Sequence, residues 1–190
     1  MNRAALEPLI GAGIGAVGAL VYWLAARWWP SSVAVALALF ATSMLGADLD
    51  PAAGAAGRRA MLVAVFVVLV KYDALMALTS ARLPFDLPGD ATLALVMVAS
   101  AASSHALAMT AAASRSGGAL AMALGVAALS AALLGLPGLI GLAAALLARL
   151  ASSRLPRRRP GSDPGSSFAT LREVTELCFL LGALAGWSYV

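Results

Sequence analysis

The chain has 190 residues, of which 62% are hydrophobic and only 12% charged, and its formal net charge is +4. A soluble domain carries about 25% charged residues, and a fold this small keeps too much surface to hide the surplus of apolar side chains, so lipid contact is expected instead. The basic balance, with a pI near 10.0, falls in clusters between apolar runs, which is a topology pattern and argues against nucleic acid as a partner.

Seven apolar segments follow one another, and they predict an all-α, polytopic transmembrane helix bundle forming a single membrane-embedded domain over 1–190. The first covers 9–29 and is too long, with too few preceding basic residues, to read as a cleavable signal peptide. The second, 31–46, follows Trp28, Trp29 and Pro30, an interfacial aromatic pair at a tight hairpin. The third and fourth are 60–80 and 92–113. The fifth and sixth, 119–134 and 137–151, are separated only by the punctuation around Pro137, so six crossings plus a re-entrant element is the alternative count. The seventh is 173–190, with Thr170 expected as its N-cap and Glu173 as the capping-box partner. Several segments fall short of the roughly 20 residues that cross a hydrocarbon core.

Seven crossings place the loops 47–59, 114–118 and 152–172 on one side. That side collects Arg58, Arg59, Arg115, Arg154, Arg157, Arg158, Arg159 and Arg172, with Arg3. The other side holds Arg27, Arg82, Asp86 and Asp90. The arginine-rich side is read as cytoplasmic, which puts the N-terminus inside a bacterial inner membrane.

Few residues carry chemistry. Lys71 sits mid-segment in VVLVKYDALMAL. A charge at that depth faces the bundle interior or a polar cavity, either as a functional group or as a structural ion pair with another helix. Asp73, two residues on, does not share its face. His105, the single histidine, either acts on a substrate or packs through one hydrogen bond. Glu173 and Glu176 are three apart and share a helix face, so they are a candidate cation site or a favourable helix N-terminal charge pattern. Asp48 and Asp50 alternate in the first basic-side loop and give a weaker metal signal. Arg157, Arg158 and Arg159 suit phosphates or anionic lipid heads, and a pure topology role explains them equally. The lone Cys178 excludes a disulfide within the chain and reads as a packing residue. No P-loop, dinucleotide fingerprint or metalloprotease histidine pair is present.

Several stretches resemble the cobalamin synthases, the adenosylcobinamide-GDP ribazoletransferases. Pro8-Leu9-Ile10-Gly11-Ala12-Gly13-Ile14-Gly15 is similar to the family's Pro-x-x-Gly-x-x-x-Gly helix start. Leu69-Val70-Lys71-Tyr72-Asp73-Ala74-Leu75 resembles its Leu-Lys-Tyr-Ala-Ala-Leu stretch. The segment from Gly165 to Glu176 looks like its Gly-Asp-x-Leu-Gly-Ala-x-x-Glu-x-x-Glu motif, with Ser166 at the aspartate position. Thr42-Ser43-Met44-Leu45-Gly46-Ala47-Asp48-Leu49-Asp50-Pro51 stands where members carry an aspartate- and histidine-containing loop, and here that histidine is absent. The family's following Met-Lys-Asp-Ser motif is also missing.

The resemblance implies a Mg2+-dependent transferase that joins adenosylcobinamide-GDP to alpha-ribazole or its 5'-phosphate, releasing GMP. It implies corrinoid and nucleoside substrates at the lipid bilayer. Lys71 and His105 are then the catalytic candidates, Arg157, Arg158 and Arg159 the phosphate-binding ones, and Asp48, Asp50, Glu173 and Glu176 the Mg2+ ligands. The thinned carboxylate set keeps a second reading open, a catalytically impaired relative that binds a partner or ligand. A small-molecule transporter is third. A homo- or hetero-oligomer is compatible with all three.

Overall fold

The computed structural model describes residues 3–48, 58–80, 89–112, 117–154 and 164–188. Among these the chain is entirely helical. The seven helices are α1 (Arg3–Ala25), α2 (Ser31–Asp48), α3 (Arg58–Leu78), α4 (Gly89–Ala112), α5 (Gly117–Leu133), α6 (Leu136–Arg154) and α7 (Pro164–Trp187). Each apolar run of the sequence becomes one helix, because leucine- and alanine-rich stretches without interior proline satisfy their own backbone.

The fifth and sixth runs are two helices, α5 and α6, joined through Gly135. Gly135 takes a positive φ of 67°, the left-handed conformation that ends helices and that glycine adopts without strain. Its N–H donates to the Ala132 carbonyl at 3.0 Å, and its own carbonyl accepts from Leu139 N–H at 3.1 Å, so one residue closes α5 and opens α6. Pro137 falls in the first turn of α6, where a missing N–H costs no helical bond.

The start of α7 differs from expectation. The helix begins at Pro164, so Thr170 lies in its interior and is not its cap. Proline favours the first helical position, and the glycine and serines that follow are carried as helix. Glu173 and Glu176 are therefore mid-helix, beyond reach of the N-terminal dipole.

Packing pairs define the architecture. Neighbouring contacts run α1–α2, α2–α3, α3–α7, α7–α6, α6–α5 and α5–α1, and α4 touches α1, α3, α5, α6 and α7. Six helices thus ring a central α4, and α7 is inserted between α3 and α6 out of chain order. Small residues permit these approaches. A Cβ on Gly15 would stand 2.7 Å from Val98 Cα and 2.8 Å from Met97 O, and one on Gly11 would meet His105 Cβ at 2.6 Å. Those pairings make α1 and α4 antiparallel, since later residues of α1 meet earlier residues of α4.

The same antiparallel pair is tied at its far end, where the Tyr22 hydroxyl donates to Asp90 Oδ1 at 2.9 Å. Tyr22 is itself buried. Tyr22→Phe is expected to lower stability by about 1–2 kcal/mol, less than the roughly 1.5–3 kcal/mol of a hydrogen bond to a charged acceptor because Asp90 is exposed. The check is the unfolding midpoint in mixed micelles, and an unchanged midpoint would remove this bond from the account of α1–α4 docking.

Outward faces are as apolar as the interior. Phe66 is 64% exposed and Leu147 67%, and α3 turns Val63, Val65 and Leu69 outward as well. Among the described residues two helical stretches are long and apolar enough to cross a membrane, Asp90–Ala108 in the centre and Leu136–Arg154 at the rim. Leu9–Ala25, Ser31–Leu45 and Leu124–Leu133 are shorter apolar helical stretches. Trp28 and Trp29 project from the α1–α2 turn with rings packed edge to face, centroids 6.4 Å apart, and the Arg27 guanidinium lies 4.0 Å over the Trp23 ring.

Candidate functional site

Among the described residues the ring leaves an internal gap. Helix α2 packs on α1 and α3 but does not reach α4, and a cleft of about 40 Å³ opens between them, walled by α1, α2, α3, α4 and α7. Apolar positions such as Leu39 and Leu75 form part of the wall, and the polar remainder includes Lys71, His105, Arg172, Glu173 and Glu176.

Lys71 is the centre of this group. Its side chain is 7% exposed, and its Nζ donates to Glu173 Oε2 at 2.5 Å and to Glu176 Oε2 at 2.9 Å. Glu173 and Glu176 reach one point because they stand a helical turn apart on one face of α7. Arg172 donates through its guanidinium to Glu173 Oε1 at 3.2 Å. Each oxygen of Glu173 is thus held by a different cation, and two positive groups balance two carboxylates. Charges this deep persist only when paired and hydrogen-bonded. The insertion of α7 beside α3 is what brings the partners together.

The hydroxyls around the cleft are mostly turned onto their own helices. Ser100 Oγ donates to Met97 O at 3.1 Å and Ser104 Oγ to Ala101 O at 3.0 Å in α4. Thr42 Oγ1 donates to Leu39 O at 3.0 Å in α2, and Thr175 Oγ1 to Leu171 O at 2.8 Å in α7. This back-bonding lets polar side chains sit in a dry interior without cross-helix partners. His105, 4% exposed, lies where α4 presses on Gly11, and the absent Cβ at Gly11 makes room for its imidazole base.

Of the residues singled out in the sequence, Lys71, His105, Glu173 and Glu176 line this one cleft. Asp50, Arg157, Arg158 and Arg159 lie outside the described residues. Asp48 closes α2, and its side chain is outside the description too. The sequence reading missed Arg172, which it counted only as a topological charge. Position could have found it, since it adjoins Glu173 on the helix that supplies both carboxylates. It also gave no role to Thr42 and Ser43, which line the cleft and stand at the head of the motif quoted above.

The arrangement can hold a cation. At present that cation is the Lys71 ammonium, and among the described residues no set of three or more histidine, cysteine or acidic side chains gathers around a point.

A 38-residue stretch of the chain is 60% identical to an adenosylcobinamide-GDP ribazoletransferase of Leptothrix cholodnii. The match is local, covering 20% of this chain and 14% of that protein. No family model matches the chain, and no solved structure matches it.

Proposed function

We propose that the chain is a polytopic membrane protein of the ribazoletransferase kind, transferring a corrinoid phosphoryl group from adenosylcobinamide-GDP to alpha-ribazole or its 5'-phosphate. The 60% identity over 38 residues carries this reading. The cleft supports it, because Lys71, Arg172, Glu173, Glu176 and His105 converge inside an otherwise apolar bundle. The outward aliphatic faces and the two membrane-length helices support the bilayer placement.

In this reaction an oxygen–phosphorus bond forms to the ribazole, the anhydride bond breaks and GMP leaves. Negative charge on the phosphoryl oxygens is the quantity to be offset. Lys71 and Arg172 are the cleft cations for that task, with Arg157, Arg158 and Arg159 as candidates for the outer phosphate. His105 is the candidate proton acceptor. Mg2+ would supply charge neutralisation, with Glu173, Glu176, Asp48 and Asp50 as its proposed ligands. Two carboxylates plus substrate phosphates are a usual Mg2+ set. In the arrangement seen, however, Glu173 and Glu176 already hold an ammonium, so no step is routed through the metal.

The test is release of GMP by membranes containing the chain, given adenosylcobinamide-GDP, alpha-ribazole and Mg2+. Mg2+-dependent GMP with the corrinoid product is expected. Absence of product from correctly inserted protein would reject the activity and favour a second reading, a catalytically impaired relative that binds a ligand or partner. That reading has one observation of its own, the full neutralisation of Lys71 by both glutamates.

The arginine bias adds a topology prediction. With seven crossings and the N-terminus inside, a phosphatase fused at the C-terminus should be active in the periplasm. A C-terminal fusion active only in the cytoplasm would overturn this orientation.

A further inference from the structure

The two faces of α7 have different neighbours. Glu173, Glu176 and Leu180 share the face that lines the cleft. Cys178, Leu181 and Gly182 fall on the opposite face by helical spacing, and there α6 and α7 border an open groove of about 540 Å³. The α6 wall is Ala144, Leu147, Ala148 and Ala151. The groove is pinched at Gly182, where a Cβ would stand 2.8 Å from Ala144 Cβ and 2.9 Å from Gly141 Cα. Toward the C-terminus of α6 it is open, with Leu147 67% exposed and Ala151 exposed.

Helix α6 contains no acidic residue and ends on Arg154. Arg154 follows Leu147 and Ala151 at spacings of seven and three, so it continues the same stripe one turn beyond the groove, and it is exposed. A shallow apolar channel with an exposed guanidinium one turn beyond it is complementary to a hydrocarbon chain ending in an anionic head. A second copy of this chain suits it less. A two-fold contact along this stripe would bring the two Arg154 side chains to one seam, and the lining of the groove supplies no carboxylate to meet them.

We propose that the α6–α7 groove seats one acyl chain of an anionic glycerophospholipid, with the Arg154 guanidinium on its phosphate. The inference rests on the membrane placement proposed above. It is independent of the transferase reaction, since no residue of the groove belongs to the cleft.

The test uses the full-length chain purified in mild detergent and supplied with phosphatidylglycerol or phosphatidylcholine, with bound lipid counted by native mass spectrometry. Wild-type protein is expected to retain phosphatidylglycerol preferentially. Arg154→Gln should reduce that preference about fivefold, the worth of one arginine at an anionic surface, while phosphatidylcholine retention stays level. Ala148→Trp, which fills the channel, should reduce retention of both lipids. Ala148→Leu, a smaller intrusion, covers the case in which the tryptophan variant does not fold. Equal retention of phosphatidylglycerol by wild type, Arg154→Gln and Ala148→Leu would overturn the proposal. So would a dimer that Ala148→Leu dissociates, which assigns the groove to a second copy. Carbonate extraction of the wild type from membranes separates the two failures. A chain released by carbonate defeats the membrane placement itself, whereas a chain that stays with no lipid preference defeats only the groove.

Discussion

Replacing Lys71 with methionine is expected to destabilise the bundle by about 2–3 kcal/mol and to abolish the GMP release proposed for the chain. Removing one partner of a buried ion pair costs about 3–5 kcal/mol, because the remaining charge is left uncompensated. Here the remaining charges are two, Glu173 and Glu176, with side chains 37% and 21% exposed, so screening trims the penalty. Arg172 still contacts Glu173 and offsets part of it. Adding Glu173→Gln and Glu176→Gln to the methionine variant should recover most of the lost stability, since neutral amides no longer need the ammonium. Activity should not return, if Lys71 meets the substrate. Unfolding midpoints and GMP release measured on the same preparations separate the two roles. A triple variant that regains both would reduce Lys71 to a structural tie, and a single variant with an unaltered midpoint would deny it even that.

The second large effect is expected on α1. Gly15→Leu should cost about 3 kcal/mol, the upper range for overpacking, because the new side chain meets backbone atoms of Val98 and Met97 that cannot turn aside. Gly13→Leu is the matched control, two residues away on the same helix, with nothing within 4 Å of its would-be Cβ. That change should be neutral or stabilising by up to about 1 kcal/mol, the helix-propensity gain over glycine. Gly15 also lines the cleft, so its leucine variant should lose the proposed activity along with stability. Equal midpoints for the two variants would show that α1 and α4 do not approach as closely as described.

Helix number was readable from the sequence for a physical reason. Proline, glycine and arginine punctuate apolar runs, and each run forms its helix from local hydrogen bonds alone. The start of α7 was less readable, because Gly165, Ser166 and Ser167 are residues of turns and caps, and the helix continues through them after Pro164. Lys71 announced itself as a charge with no place in hydrocarbon, but its partners did not. Glu173 and Glu176 lie 102 and 105 residues further on, and no periodicity links α3 to α7. Ring order depends on which glycine faces meet, and that is a property of pairs of helices. Arg172 shows the complementary failure. A charge counted for topology was also a site residue, and counting by sidedness hid it. The metal assignment to Asp50 and the phosphate assignment to Arg157, Arg158 and Arg159 fall outside the described residues and stand as proposals.

The place of α7 between α3 and α6 has a consequence for how the protein is made. Helices emerge from the ribosome in chain order, at about 5–20 residues per second. When Lys71 has been synthesised, the two carboxylates that will neutralise it are still untranslated, 102 and 105 residues further on and about 5–20 seconds away at that rate. During that interval the ammonium has neither of the two carboxylates that hold it in the folded bundle. Neutralisation of the Lys71 charge by Glu173 and Glu176 then waits for α7, which follows α3 in the chain only after α4, α5 and α6. A nascent chain stalled before α7 should therefore be the form most exposed to membrane quality-control proteases, and the same stalled chain carrying Lys71→Leu should be less so.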